Sequence, residues 1–380
     1  MSLTTELRDP RSKLAAWCAE TLVRTPAVVE QVAAAIRDVE PVRPQVREVT
    51  GRHWAEIGGA FGQRVADLVQ PAPPYYALLG MIRAGWATWG WAHEQAARYP
   101  THRDLPPEYR ARALGIRPGA TSWLDLGGIG VDRSGAVPPA AAGAWAELLE
   151  RSRSYLAAHA PTGTLGSAGA EAGLARSSWL LSAAEDIHRS GQVDDRLGAL
   201  FTGARRPSVE QLRGLVDERQ VAELVALSAK LHATGAHWDL RKLGGNPASG
   251  QPLGIAAPTI VPQWADADIL LGAVDPETGI GEQGSTLIDV KTVISTRDAE
   301  KVGRWVWQIL LYAWLDTADL YRIRRVGLLL ARHGVLITWP LHRLVDQLLG
   351  RRDVGDHHRD TAREIAGQII TRNGLQFPIA

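Results

Sequence analysis

The chain has 380 residues, 45% apolar and 22% charged, with a formal net charge of +1 at pH 7. That length allows two or three packed units with real cores, and the near-neutral balance leaves a nucleic-acid partner open, since a basic groove needs only local charge. A single cysteine, Cys18, excludes an internal disulfide, a four-cysteine iron–sulfur cluster and a zinc ribbon, and suits a reducing, cytoplasmic setting. No basic-then-apolar leader is read at the start and no run reaches 18 apolar residues, so neither secretion nor a membrane span is expected.

Residues 1–245 read as a mainly helical region. Windows 12–39, 52–70, 75–99, 140–160, 171–190 and 209–232 are rich in Ala, Leu, Val and Arg, with apolar positions at helical spacing. Breakers such as "PAPP" (71–74), "LPPE" (105–108) and "PTGTLGSAGAEAG" (161–173) separate them. "LGGIGVDRSG" (126–135) has Arg133 where a phosphate-binding glycine loop needs its last glycine, so it reads as a turn.

The pattern changes near residue 245. Over 246–345, "IAAPTIVPQW", "ADADILLGAV", "STLIDVKTV", "RRVGLLLARHG" and "VLITWPL" are short Val/Ile/Leu-rich runs bounded by Gly and Pro, hence strands. Between the third and fourth, "RWVWQILLYAWLD" (304–316) is too long for a strand and reads as a helix buried on more than one side. Residues 346–380 read as a helical tail. The expected fold is α/β (α+β): a mixed central sheet with flanking helices plus the large helical region.

Only five of the 42 basic residues are lysines, at positions 13, 230, 242, 291 and 301. One of them, Lys291, stands two residues after Asp289 inside the strand-like "TLIDVKTV". Side chains alternate along a strand, so Asp289 and Lys291 share a face. Pairing of "ADADILLG" with "STLIDVKTV" as a hairpin brings Asp268 toward Asp289. Two carboxylates and an ammonium on one face suit a hard divalent cation that keeps water and substrate phosphate as further ligands, and so suit phosphodiester hydrolysis. The tripeptide is weak by itself, since about 0.5 acidic-x-Lys matches arise by chance in a chain of this composition. Its context adds Gln308 and Tyr312, which are i and i+4 on the following helix and therefore on one side.

"ADADILLG…TLIDVKT…WQILLYAWL…VGLLLARHGVLITWPL" resembles the core of the PD-(D/E)XK nuclease superfamily, particularly its RecB-like branch, over about residues 250–345. The resemblance implies a restriction-endonuclease-like sheet and a Mg²⁺- or Mn²⁺-dependent deoxyribonuclease. Asp268 matches the first-motif acid, with Asp266 as the other register; Asp289 and Lys291 match the second motif, and Gln308 and Tyr312 the Gln-x-x-x-Tyr motif. The metal is expected on Asp268, Asp289 and the main-chain carbonyl of Val290. The implied setting is prokaryotic DNA processing or phage defence, with DNA and a helicase or other repair subunit as partners.

Relatives of that branch carry a His or Glu on an early helix. "HWAEIGGAFGQRVADL" (53–68) resembles that helix, but Gln63 stands at the expected histidine. Glu56, Gln63, Glu185 and Glu223 are therefore alternative completions of the site. Bland readings stand beside these: Asp289–Lys291 as a surface pair, Asp266 and Asp268 as loop caps, Gln308 and Tyr312 as satisfied core groups. Arg322, Arg324, Arg325, Arg332 and His333 flank a strand and are candidate phosphate contacts. Two rival functions remain: a nuclease fold without catalysis that serves as a DNA-binding or scaffolding subunit, and a restriction-type endonuclease whose helical region reads sequence.

Overall fold

The computed structural model describes residues 2–101, 103, 105–115, 141–202, 206–275, 278–352, 354–375 and 377; the turn read at 126–135 lies outside them. Among the described residues the chain is mixed α/β, with sixteen helices and a five-stranded mixed sheet, and no helix is long and apolar enough to cross a membrane. It divides into two compact units, Met1–Pro41 with Asp104–Thr121 and Ala257–Ala380, and Val42–Arg103 with Ser122–Ala256. This division differs from one drawn at residue 245, because the first 41 residues belong to the sheet-bearing unit.

In that unit Ser285–Lys291 is an inner strand. It pairs antiparallel with Ile269–Leu271, where Ile269 faces Ile288, and parallel with Ile323–Leu330, where Asp289 faces Leu328. Val335–Pro340 then pairs antiparallel with Ile323–Leu330. The parallel pair requires a crossover, and the helix Ala299–Leu315 provides it, its first turn capped by Asp298, whose carboxylate accepts from Lys301 N–H at 2.9 Å. Twelve of its seventeen residues are buried, because it packs on the sheet and also on helices Thr25–Ile36, Leu3–Arg8 and Gly355–Arg372. Trp307 Nε1 donates to Thr25 Oγ1 at 2.8 Å, and Trp339 Nε1 to Gln31 Oε1 at 3.1 Å.

The first expected strand is broken in two, Gly254–Ala256 and Thr259–Val261. Ala257 adopts φ +46° and Pro258 has no N–H, so a continuous ladder cannot pass through them. The second breaks into Ala265–Asp266 and Ile269–Leu271.

In the other unit the described residues form helices and one strand, Gly254–Ala256. Ala168–Ser190 is its axis and packs against Gly51–Val69, Tyr75–Arg83, Ala141–His159 and Glu218–Thr234. A buried ion pair ties it together: Arg64 donates to both oxygens of Glu171 at 2.8 and 2.9 Å, and Ser228 Oγ and Gly166 N–H donate to the same carboxylate. Arg64 opposes the upward push of burial and holds Glu171 below the usual carboxylate range.

Gly327 sits opposite Ile288 in the parallel pair and lets the sheet close around the inner strand. A Cβ there would lie 2.4 Å from Ile337 O and 2.7 Å from Ile288 Cδ1. Gly327→Ala is expected to cost about 1–3 kcal/mol through overpacking, read as a lower urea midpoint at unchanged slope; an unchanged midpoint would contradict this packing.

Candidate active site

Extending the antiparallel register by one residue beyond Ile269↔Ile288 sets Asp268 opposite Asp289. The chain has left the ladder by then, and the main-chain carbonyl of Asp268 accepts from Ala257 N–H at 2.7 Å. Its side chain takes over the pairing: Oδ2 accepts from Val290 N–H at 2.6 Å. The first acid is thus fixed against the backbone between Asp289 and Lys291.

Asp289 is 2% exposed. Its Oδ2 lies 2.5 Å from Lys291 Nζ, so the two side chains share a face as strand alternation requires. Among the described residues Asp289 Oδ2 has no donor besides the Lys291 ammonium. Burial pushes the Asp289 carboxyl upward, and the Lys291 ammonium only partly opposes it. The lysine remains 18% exposed at its side chain and so keeps a route to water.

The helix Ala299–Leu315 supplies the other wall. Lys291 Nζ donates to Gln308 Oε1 at 3.4 Å, and Gln308 Nε2 donates to Tyr312 Oη at 2.7 Å and to Thr4 Oγ1 at 3.2 Å. The Tyr312 hydroxyl is raised well above its ordinary value by burial first and by the charges of Asp289, Asp268 and Asp266 after it. One cluster therefore unites Asp268, Asp289, Lys291, Gln308 and Tyr312, with Val290 at its base. Asp266 belongs to a separate two-stranded ribbon, opposite Thr259, so Asp268 is the acid that shares the register of Asp289.

Thr4 was not legible as a site residue: it sits in the first turn of the six-residue helix Leu3–Arg8, and no spacing connects it to residue 308. Trp305 was legible, because Lys301, Trp305, Gln308 and Tyr312 recur at intervals of four, three and four. Lys291 Nζ lies 5.8 Å from the Trp305 ring centre.

The four alternative completions all lie in the helical unit and are engaged there. Glu56 accepts from Arg52 at 2.9 Å, from Arg196 at 3.1 Å and from Gln220. Gln63 donates to Asp67 at 3.2 Å, and Glu185 accepts from Arg189 at 2.7 Å. Glu223, fully buried, meets His53 Nε2 at 3.2 Å and accepts from Gln45 N–H at 2.9 Å. The arginine group expected at phosphates is turned inward or paired. Arg332 and His333 are buried, Arg324 pairs with Asp319, and Arg322 and Arg325 bond Ile280 O and Thr338.

Among the described residues no three His, Cys, Asp or Glu side chains form a metal-holding group. The residues able to share a cation are Asp268 and Asp289. Two carboxylates placed opposite each other across the strand pair, one of them buried and met by a single ammonium, fit a hard ion that takes one or two carboxylates and keeps its waters.

The raised carboxyl of Asp289 has a signed consequence. Its contribution to stability is full below the unfolded carboxylate value, about pH 4, and is lost as pH rises through the higher folded value. Asn cannot ionise. In chelator-treated buffer the melting temperature of the wild type minus that of Asp289→Asn should therefore fall as pH rises from about 4 to neutrality; a difference that is flat or grows with pH would refute the upward direction.

Compared with family models, curated proteins and solved structures, the chain has no match.

Proposed function

We propose that this protein is a Mg²⁺- or Mn²⁺-dependent nuclease that hydrolyses phosphodiester bonds of DNA on a restriction-endonuclease-like sheet. The observation that carries the reading is the convergence of Asp268, Asp289, Lys291, Gln308 and Tyr312, from three separate elements, around one buried carboxylate whose Oδ2 is met by a single ammonium at 2.5 Å.

The contacts support the following roles. Asp268 and Asp289 would hold the cation, with the Val290 carbonyl as the resemblance implies. When bound, the cation supplies charge neutralisation at the phosphate oxygens and makes water a better nucleophile. Lys291, oriented by Gln308 Oε1, holds a positive charge where negative charge grows in the transition state and donates to the attacking water. Gln308 is itself oriented, since its Nε2 is engaged by Tyr312 and Thr4 and its oxygen is left for the lysine. Lysine suits this post because its compact ammonium has three donors that turn freely, unlike the planar guanidinium used elsewhere in the chain. The resemblance further suggests a cytoplasmic enzyme of prokaryotic DNA processing or defence, acting beside a helicase or repair subunit.

One observation favours the rival reading of an inactive DNA-binding or scaffolding subunit: no third acidic or histidine ligand joins the two carboxylates among the described residues. Cleavage of single-stranded, duplex and circular DNA with Mn²⁺ or Mg²⁺ separates the two, and cutting of duplex at a fixed sequence would instead identify a restriction-type endonuclease.

Lys291→Gln should lower cleavage by roughly 10²-fold or more, the scale for losing one transition-state charge partner. Asp289 can take a proton in that variant, so the fold should hold at mildly acidic pH, as a melting curve on the same preparation would verify. Normal cleavage by the folded variant would remove Lys291 from the mechanism. Independently of activity, Mn²⁺ should raise the melting temperature of the wild type by mass action but not that of Asp289→Asn; equal shifts in both proteins would place the ion elsewhere.

A further inference from the structure

The polar stripe on Ala299–Leu315 continues beyond the proposed catalytic cluster. Tyr312 and Gln308 occupy one end, and Trp305 and Lys301 extend it to the start of the helix. The Trp305 ring has two ammonium groups near it, Lys291 Nζ at 5.8 Å and Lys301 Nζ at 5.9 Å from its centre, so the two charges are at most about 12 Å apart. Trp305 is 7% exposed, whereas Lys301 is open to solvent. Among the described residues, no carboxylate pairs with the Lys301 ammonium; Asp298 caps the Lys301 main-chain N–H, and Glu300 pairs with Arg304.

Folding stability alone would not select this arrangement. Lys301 stands in the first turn of a seventeen-residue helix, where the macrodipole favours an anion and disfavours a cation. Lys291 lies near the same indole with its charge already met by Asp289, so the charge left without a carboxylate there is that of Lys301. An anion beside the Lys301 ammonium relieves that penalty.

We propose that Lys301, seated on Trp305, binds a DNA backbone phosphate close to the one that faces Lys291. This rests on the nuclease reading and adds to it a strand-holding subsite. At about 3.4 Å of rise per nucleotide, the spacing of the two charges spans no more than about three nucleotides. Trp305 is too covered to take a base on its face; it holds the lysine stem by a cation–π contact and keeps the charge from swinging away. A point charge on a backbone phosphate reads no base edge, so the contact is independent of sequence.

The experiment is salt-dependent binding of two fluorescent single-stranded oligonucleotides of unrelated sequence, in chelator so that nothing is cut. For Lys301→Gln the slope of log K against log salt should be less steep by about 0.7, the value of one phosphate contact on a single strand. Affinity should fall equally for both sequences, without a lower melting temperature, while Lys301→Arg retains the wild-type slope. A wild type that binds and a Lys301→Gln variant with the same slope would overturn the subsite and leave the nuclease reading standing. A slope change accompanied by an equal change in a Lys230→Gln control would also overturn it, since any surface charge would then suffice. A wild type that neither binds nor cleaves DNA would overturn both readings.

Discussion

The arrangement turns on one carboxylate almost wholly withdrawn from solvent. Asp289 lies in an inner strand at 2% exposure, and an ionised group there is tolerated only with compensating charge and hydrogen bonds. Lys291 supplies the charge, and its position is dictated by the strand period. The lysine in turn needs a polar wall, which accounts for Gln308 and Tyr312 in a helix that is otherwise almost wholly apolar on its buried sides. Each polar residue in the cluster is thus explained by the one before it, beginning with the buried acid.

Glu171, one of the buried carboxylates of the helical unit, differs from Asp289 in its partners. Glu171 receives both arms of Arg64, a serine hydroxyl and a main-chain N–H, so its oxygens are well supplied with donors. The result is a closed pair, and its carboxyl sits below the ordinary range. Asp289 has one lysine, and its carboxyl moves the other way. Both acids are buried, but the donors differ in number: four groups' N–H and O–H bonds meet Glu171, whereas the Lys291 ammonium alone meets Asp289 Oδ2.

Much of the sheet could be read from the chain because its strands are short apolar runs between strong breakers, and because the period of two fixes which side chains meet. Asp289 with Lys291, and Gln308 with Tyr312, follow from local spacing alone. The hairpin between 269–271 and 285–291 followed from the polar connection between two apolar runs. Other features had no local signal. The turn at Ala257 needs a positive φ at an alanine, which propensity disfavours and tertiary packing imposes. The placement of residues 1–41 with the sheet depends on contacts such as Trp307 with Thr25, between residues 282 apart in sequence. The arginines near the fourth strand looked available for phosphate because composition cannot distinguish a guanidinium that bonds a carbonyl indoors from one in solvent.

The bond between Gln308 and Thr4 joins residues 304 positions apart, and that separation bears on biosynthesis. A polypeptide leaves the ribosome N-terminus first, and its early segments wait for late ones. The helix Thr25–Ile36 presents Val28, Val29, Val32 and Ile36, which are buried only in the finished unit; until residues 299–315 emerge, that apolar face has no cover from them. The parallel partner of the inner strand, Ile323–Leu330, is made later still. A nascent or truncated chain ending before it can hold Asp289 and Lys291 covalently yet lack the neighbour that buries them. The charged cluster is therefore assembled only once residues 323–330 have been made, through contacts of long range in the chain.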